Sequence, residues 1–358
     1  MPRRSEPGLD LFRACLVLGM FAVHARRLQP SATRIDTLAD RALDALMWAE
    51  PYIAAGFLLV VGTSLVLGRR ARVSIESWRA KLVRRAIGLY LASMALFVAQ
   101  YGIELPDLLV SSGILSVIAI AIVTVGFALD TRRPRIFLLV VAAASIAVTA
   151  LLDRSGVGVS GINAGPGGAL PLVAFSAFGA ILELERARVG NRVLAWGSAG
   201  AAPLLLVALA SGADWTTLRS SLYRAHSGLV ALPHVLEETA RAPVQFWNHS
   251  AVGAIGLSMP LSLGLLASFA LPKAIARARS LSPLALLGRH ALAAYVLHLG
   301  LLGLLELSGA RPTNAALTWS LVGGLTLCSL LLGWVLDRRR IQPAPASDAA
   351  VGAQTPTS

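Results

Sequence analysis

Apolar residues gather in windows of about 20, the length that crosses roughly 30 Å of hydrocarbon, at positions 9–26, 50–68, 84–101, 108–129, 135–152, 168–184, 193–211, 250–271, 285–306 and 317–336. The pattern predicts an all-α, polytopic bundle of ten transmembrane helices. Two connecting segments on one side are long, about 27–48 and 212–249. In the first, Ile35, Leu38, Ala42 and Leu46 recur at helical spacing with charges between them, which predicts a helix lying in the outer interface. The second is amphipathic and too polar to span, and both are suited to capping a cavity. The ending IQPAPASDAAVGAQTPTS has almost no large apolar side chains, so it is expected to be disordered. The chain thus reads as one membrane domain, 1–340, with a cytoplasmic tail, 341–358.

Composition agrees with that class: 56% of residues are apolar and 14% charged, with a mean hydropathy of +0.68, far from a soluble domain. A net charge of +13 suggests nucleic acid until its distribution is read. With the amino terminus in the cytoplasm, 22 of the 32 Arg and Lys fall in cytoplasmic segments, nine fall on the other side, and Arg13 lies within a span. That asymmetry is the positive-inside pattern; it supports an even number of spans with both termini cytoplasmic and leaves no reason to invoke nucleic acid. The protein is expected to be integral to the membrane, the cytoplasmic (inner) membrane if bacterial, with lipids as its neighbours. Cys15 and Cys328 both lie in apolar stretches, so no disulfide framework is expected. His226 and His234 lack zinc-ligand spacing, the Gly-rich run SGVGVSGINAGPGG lacks the GKS/T ending of a phosphate loop, and no other nucleotide or hydrolase motif is present. Neither a metal nor a permanently bound cofactor is expected, and the Gly-rich run reads as a flexible connection.

The first span, LDLFRACLVLGMFAVHARR, carries Asp10, Arg13 and His24. Its polar residues and its ending argue against a cleaved signal and for a retained helix. Arg13 and His24 are eleven positions apart, about three full turns and about 16 Å of rise, so they share a helix face. Placing charge at such depth costs at least about 2.5 kcal/mol, and intramembrane ionisable residues therefore face a bundle interior or a watery cavity. Asp10, three residues before Arg13, offsets its charge along the same helix. Snorkelling of Asp10 and Arg13 to one interface, with His24 at the other, is the plainer alternative; Arg26 and Arg27 stand ready as interfacial anchors in its place.

The phrase LDLFRACLVLGMFAVH resembles the first helix of the transmembrane acyltransferases, the group that includes acyltransferase 3 proteins and bacterial relatives of heparan-alpha-glucosaminide N-acetyltransferase. The matching positions are Leu9, Asp10, Arg13 and His24, with Ala14 where Gly is usual. EPYIAAGFLLVVGTSLVLGRR resembles the second helix of the family, KLVRRAIGLY the arginine-rich start of its third, and LGRHALAAYVLHLGLL its late helix with Gly, Tyr and His. SSGILSVIAIA resembles the Gly-Ile-Leu-His pattern of the heparan branch, with Ser116 at the His position, so the branch stays open.

The resemblance implies transfer of an acyl group, usually acetyl, from cytoplasmic acyl-CoA to a hydroxyl or amine of a glycan or other cell-envelope acceptor. The rise from Arg13 to His24 is on the order of an extended pantetheine arm, which lets CoA phosphates rest near cytoplasmic Arg84, Arg85 and Arg289 while the thioester reaches His24. His24 then serves either as general base or as covalent acyl carrier. Tyr295 and His298, three apart on the ninth span, share a face and are candidates for the cavity wall; His290, beside Arg289, reads as interfacial. Trp247 and Asn248 in the outer segment are candidates for sugar binding, although Trp and His at a membrane interface are also ordinary belt residues. A transporter or flippase is the competing class, with Arg13, His24 and His298 lining a substrate or proton path.

Overall fold

The computed structural model describes residues 6–48, 50–71, 74–155, 157–163, 167–190, 228–229, 251–270 and 282–341. Over these the chain is helical apart from a two-residue parallel pairing of β1 (Val157–Gly158) with β2 (Gly228–Leu229). The helices are α1 (Pro7–Leu28), α2 (Leu38–Trp48), α3 (Glu50–Arg70), α4 (Ile75–Tyr101), α5 (Asp107–Val110), α6 (Ile114–Ala128), α7 (Pro134–Ser155), α8 (Leu172–Val189), α9 (Ala251–Ala270), α10 (Ser282–Arg289), α11 (Ala291–Leu307) and α12 (Ala315–Ile341).

Six stretches among the described residues are long and apolar enough to cross a membrane: Pro7–Leu28, Tyr52–Arg70, Ile75–Tyr101, Asp107–Ala128, Pro134–Leu152 and Ala315–Arg338. The bent pair α10 and α11 adds a seventh if taken as one span. The remaining predicted spans differ in instructive ways. The one at 168–184 is α8, which runs on through Glu183, Glu185, Arg186 and Arg188. That at 250–271 is α9, which holds Pro260. The span at 193–211 and the tail 342–358 lie outside the described residues.

Three expectations are corrected. The window 285–306 is two helices that meet at 80°, because His290 leaves helical geometry at the junction (φ −105°, ψ 24°). At that junction His290 is buried and bonded through Nε2 to Asp337 at 2.8 Å. α4 starts at Ile75, nine residues before the predicted span: Ser74 caps it by accepting from the Ser77 amide, and Trp78 and Leu82 are buried in the core. Polarity in the sequence had placed these residues in a loop. Within the Gly-rich connection, Asn163 is buried and bonds both the Val159 amide (2.8 Å) and the Val157 carbonyl (2.9 Å), so this part has fixed geometry.

Small and hydroxylated residues bring the helices together, as lipid offers no hydrophobic drive between them. α3 and α8 approach so closely that a Cβ on Gly179 would stand 1.9 Å from the Leu59 carbonyl oxygen. Thr63 donates to the Gly179 carbonyl at 3.1 Å and Ser176 to the Leu58 carbonyl at 2.8 Å. α10 presses on α1 in the same way: a Cβ on Gly288 would meet the Asp10 carbonyl oxygen at 1.7 Å.

At the far end of α1, Arg26 is 1% exposed rather than an interfacial anchor. Its guanidinium donates to Asp40 (2.7 Å), to Gln29 (2.7 Å) and to Asp44 (2.8 Å), and Thr318 donates to the same Gln29 oxygen at 2.9 Å. The cluster ties α1 to α2 and α12. Hydrogen bonds from Thr37 and then Arg26 hold the Asp40 carboxyl below the usual carboxylate range. A lowered folded value gives stability that is complete above the unfolded pKa of about 3.9 and lost as pH falls through the folded one. The thermal midpoint difference between wild type and Asp40→Asn in detergent is therefore expected to be constant from pH 7 to pH 5 and to shrink below pH 4. A difference that grows on acidification would refute this.

Candidate functional site

α1 carries the site because its sequence places Asp10 and Arg13 near one end and His24, Arg26 and Arg27 near the other end of an otherwise apolar helix. Asp10, 4% exposed, accepts from Arg13 Nη1 at 2.8 Å. Arg13 Nη2 donates to Ser64 Oγ at 2.6 Å, and the Ser64 hydroxyl in turn donates to the Val60 carbonyl at 2.6 Å. Arg13 is thus held by α1 on one side and α3 on the other, with its fork fixed in direction.

Three turns along, the Nδ1 of His24 lies 3.0 Å from Nε2 of His298 on α11. The rings are tilted by 34° with centroids 5.1 Å apart. His298 is fully buried, packed against Phe21 (5.2 Å) and edge-on to Tyr295 (5.4 Å), and its Nδ1 is 3.3 Å from the Ala294 carbonyl oxygen. The two histidines, 274 positions apart in the chain, form one unit.

Among the described residues a cavity of about 2130 Å³ connects these stations. Asp10, Arg13, Arg85 and Arg289 line it, and so do His24 and Tyr295. Its size exceeds the roughly 300–1,000 Å³ typical of a pocket for one small molecule. Arg84 instead lines a smaller cavity of about 260 Å³ between α4 and α11, with Leu292 and Val296. Arg289 is ion-paired to Asp337 at 2.7 Å. His298 is not on the cavity wall but lies behind two residues that are, His24 and Tyr295. Trp247 and Asn248 lie outside the described residues.

Sequence reasoning passed over four groups on the wall. Arg27 and Glu50 form an ion pair in the cavity near His24, and Glu50 is almost wholly buried. Arg70 and Lys81 line the wall with Arg13. Arg27 was legible as an i+3 neighbour of His24 on the cavity face, but Glu50 was hidden in what read as the polar start of a span. Ser116, where the heparan pattern has His, is buried, donates to the Gly113 carbonyl at 2.6 Å and takes no part in the cavity wall.

What this arrangement can do follows from its parts. Fixed cations near one end offer charge-assisted bonds to an anionic group, and a neutral imidazole near the other offers a lone pair that can accept a proton. A long, partly apolar cavity joins them. Residues 6–166 match the model of the family described as heparan-alpha-glucosaminide N-acetyltransferase, catalytic. The matched stretch holds Asp10, Arg13, His24, Arg84 and Arg85, whereas Arg289, Tyr295 and His298 fall beyond it. The matched stretch includes Ser116, where the heparan pattern has His. No curated protein gives a match to the chain.

Proposed function

We propose that this chain, heparan-alpha-glucosaminide N-acetyltransferase-like over its amino-terminal part, is a membrane-embedded acetyltransferase that moves an acetyl group from cytoplasmic acetyl-CoA to an amine or hydroxyl of a glycan, in a cell-envelope acceptor. The observation that carries the reading is that Arg13 and His24, two of the positions matching the family's first helix, line one cavity. Arg13, Arg85 and Arg289 serve the anionic end of the donor, with the charge-rich end of the bundle toward the cytoplasm. The pantetheine arm lies along α1. His24 takes the proton of the acceptor O–H or N–H as that atom bonds to the thioester carbon. The C–S bond breaks, and the proton passes to the departing thiolate to give free CoA. Tyr295 borders the reacting centre, and the ion pair of Arg27 and Glu50 gives the acceptor polar partners beside it.

Full-length protein in lipid nanodiscs, supplied with acetyl-labelled CoA and a glucosamine-terminated oligosaccharide, is expected to release CoA thiol and label the sugar in equal amounts. Arg13→Gln is expected to raise KM for acetyl-CoA about tenfold, equivalent to about 1.4 kcal/mol, with kcat changed less, since Arg13 is far from the reacting atoms. Movement of the sugar across the bilayer without thiol release would overturn the enzyme reading in favour of transport.

A further inference from the structure

We infer that His298 is a positioning residue which fixes the tautomer of His24, making Nε2 of His24 the nitrogen that accepts the proton. This rests on the reading of His24 as the general base. The Ala294 carbonyl oxygen can only accept, so Nδ1 of His298, 3.3 Å away, carries the hydrogen. A neutral imidazole holds one N–H, so Nε2 of His298 presents a lone pair. That lone pair faces Nδ1 of His24 at 3.0 Å, and the contact requires a hydrogen on His24 Nδ1. The remaining nitrogen of His24, Nε2, is left as the lone-pair site.

The reverse arrangement has His298 protonated on both nitrogens and His24 accepting. It would place an imidazolium in a fully buried position with no carboxylate bonded to either ring among the described residues, at the high cost of an unpaired interior charge. Phe21 and Tyr295 hold the ring of His298 from two sides, so the orientation is set by packing as well as by hydrogen bonds. A relay of backbone carbonyl, His298 and His24 thus occupies the place that a carboxylate behind a histidine fills elsewhere.

During transfer His298 neither gains nor loses a proton. The acceptor's proton arrives at His24 Nε2 as the new C–O or C–N bond forms. The imidazolium so produced donates more strongly from Nδ1 to His298, and the proton leaves from Nε2 to the thiolate. Because His298 does not touch the cavity, substrate binding does not depend on it.

Ring-¹⁵N-labelled histidine in the full-length protein, reconstituted in nanodiscs, reports the tautomer directly, with the His24 signals assigned by their loss in His24→Gln. Wild type is expected to show protonated Nδ1 and unprotonated Nε2. His298→Gln, whose side-chain oxygen reaches the position of the imidazole Nε2, is expected to keep that tautomer and a kcat within about tenfold. His298→Leu is expected to shift His24 toward the Nε2–H form and lower kcat by about 10²–10⁴-fold, as wrong-tautomer histidines do, with KM for acetyl-CoA within about twofold. An Nε2–H form of His24 in the wild type overturns the inference, and so does an unchanged Nδ1–H form in His298→Leu. The wild-type spectrum decides even where His298→Leu fails to fold. Transfer that survives His24→Ala overturns the role of His24 as base, a result separate from the tautomer measured in the resting protein.

Discussion

His24→Ala is expected to lower kcat by about 10²–10⁴-fold, the range a positioned general base contributes, while KM for acetyl-CoA stays within about twofold. The split follows from the layout of α1. Donor anchoring falls to Arg13, which is held by Asp10 and Ser64 about 16 Å of helix away. Truncating His24 leaves that bonding intact and removes only what acts at the reacting atoms. Undiminished turnover, or a rise in KM at constant kcat, would show that His24 contributes binding rather than chemistry. Side-by-side thermal midpoints guard against a trivial cause, since truncating His24 also removes its contact with buried His298.

Gly288→Ala is expected to be among the most damaging single-methyl additions in the chain. The new methyl would meet the Asp10 carbonyl oxygen at 1.7 Å, and neither partner is a side chain able to turn away. Overpacking of this kind costs about 1–3 kcal/mol, and a backbone clash belongs at the top of that range. Relief requires α10 to move off α1, which carries Arg289 and the His290 bond to Asp337 with it. The thermal midpoint in detergent should fall by several degrees, and KM for acetyl-CoA should rise. Gly323→Ala and Gly324→Ala on α12, where a Cβ meets nothing within 4 Å, should leave both unchanged. Equal effects at all three positions would mean helix propensity, not packing against α1, decides the outcome.

The pairing of Asp10 with Arg13 was legible in the sequence because both lie on one helix, and so was the shared face of Arg13 and His24: fixed rise and rotation turn spacing into geometry. The contact of His24 with His298 was not, since it joins helices 274 positions apart and no local rule sets the rotation of α11 about its own axis. His298 bonds a carbonyl of its own helix, as a plain interior histidine does, yet the same ring also meets His24. Charge at helix ends misled in another way. Arg69 and Arg79 converge on Asp130, and Arg70 and Arg186 on Glu183, whose side chains are 1% and 0% exposed. Arginines counted for orientation therefore also neutralise buried carboxylates, a pairing that composition does not reveal. The kink at His290 escaped because apolar length alone cannot tell one straight helix from two meeting at 80°.

The spacing of Arg13 and His24 also sets what length changes α1 can tolerate. Deleting one residue between them would retract the far end by about 1.5 Å and turn it through about 100°. His24 would leave both the cavity and His298, and Arg26 would swing away from Asp40. Apolar residues inside the interval can be exchanged for others of similar volume, but their number cannot change: the rotational phase of one helix, fixed at one end by Gly288 and at the other by Arg26, makes eleven residues an indivisible unit.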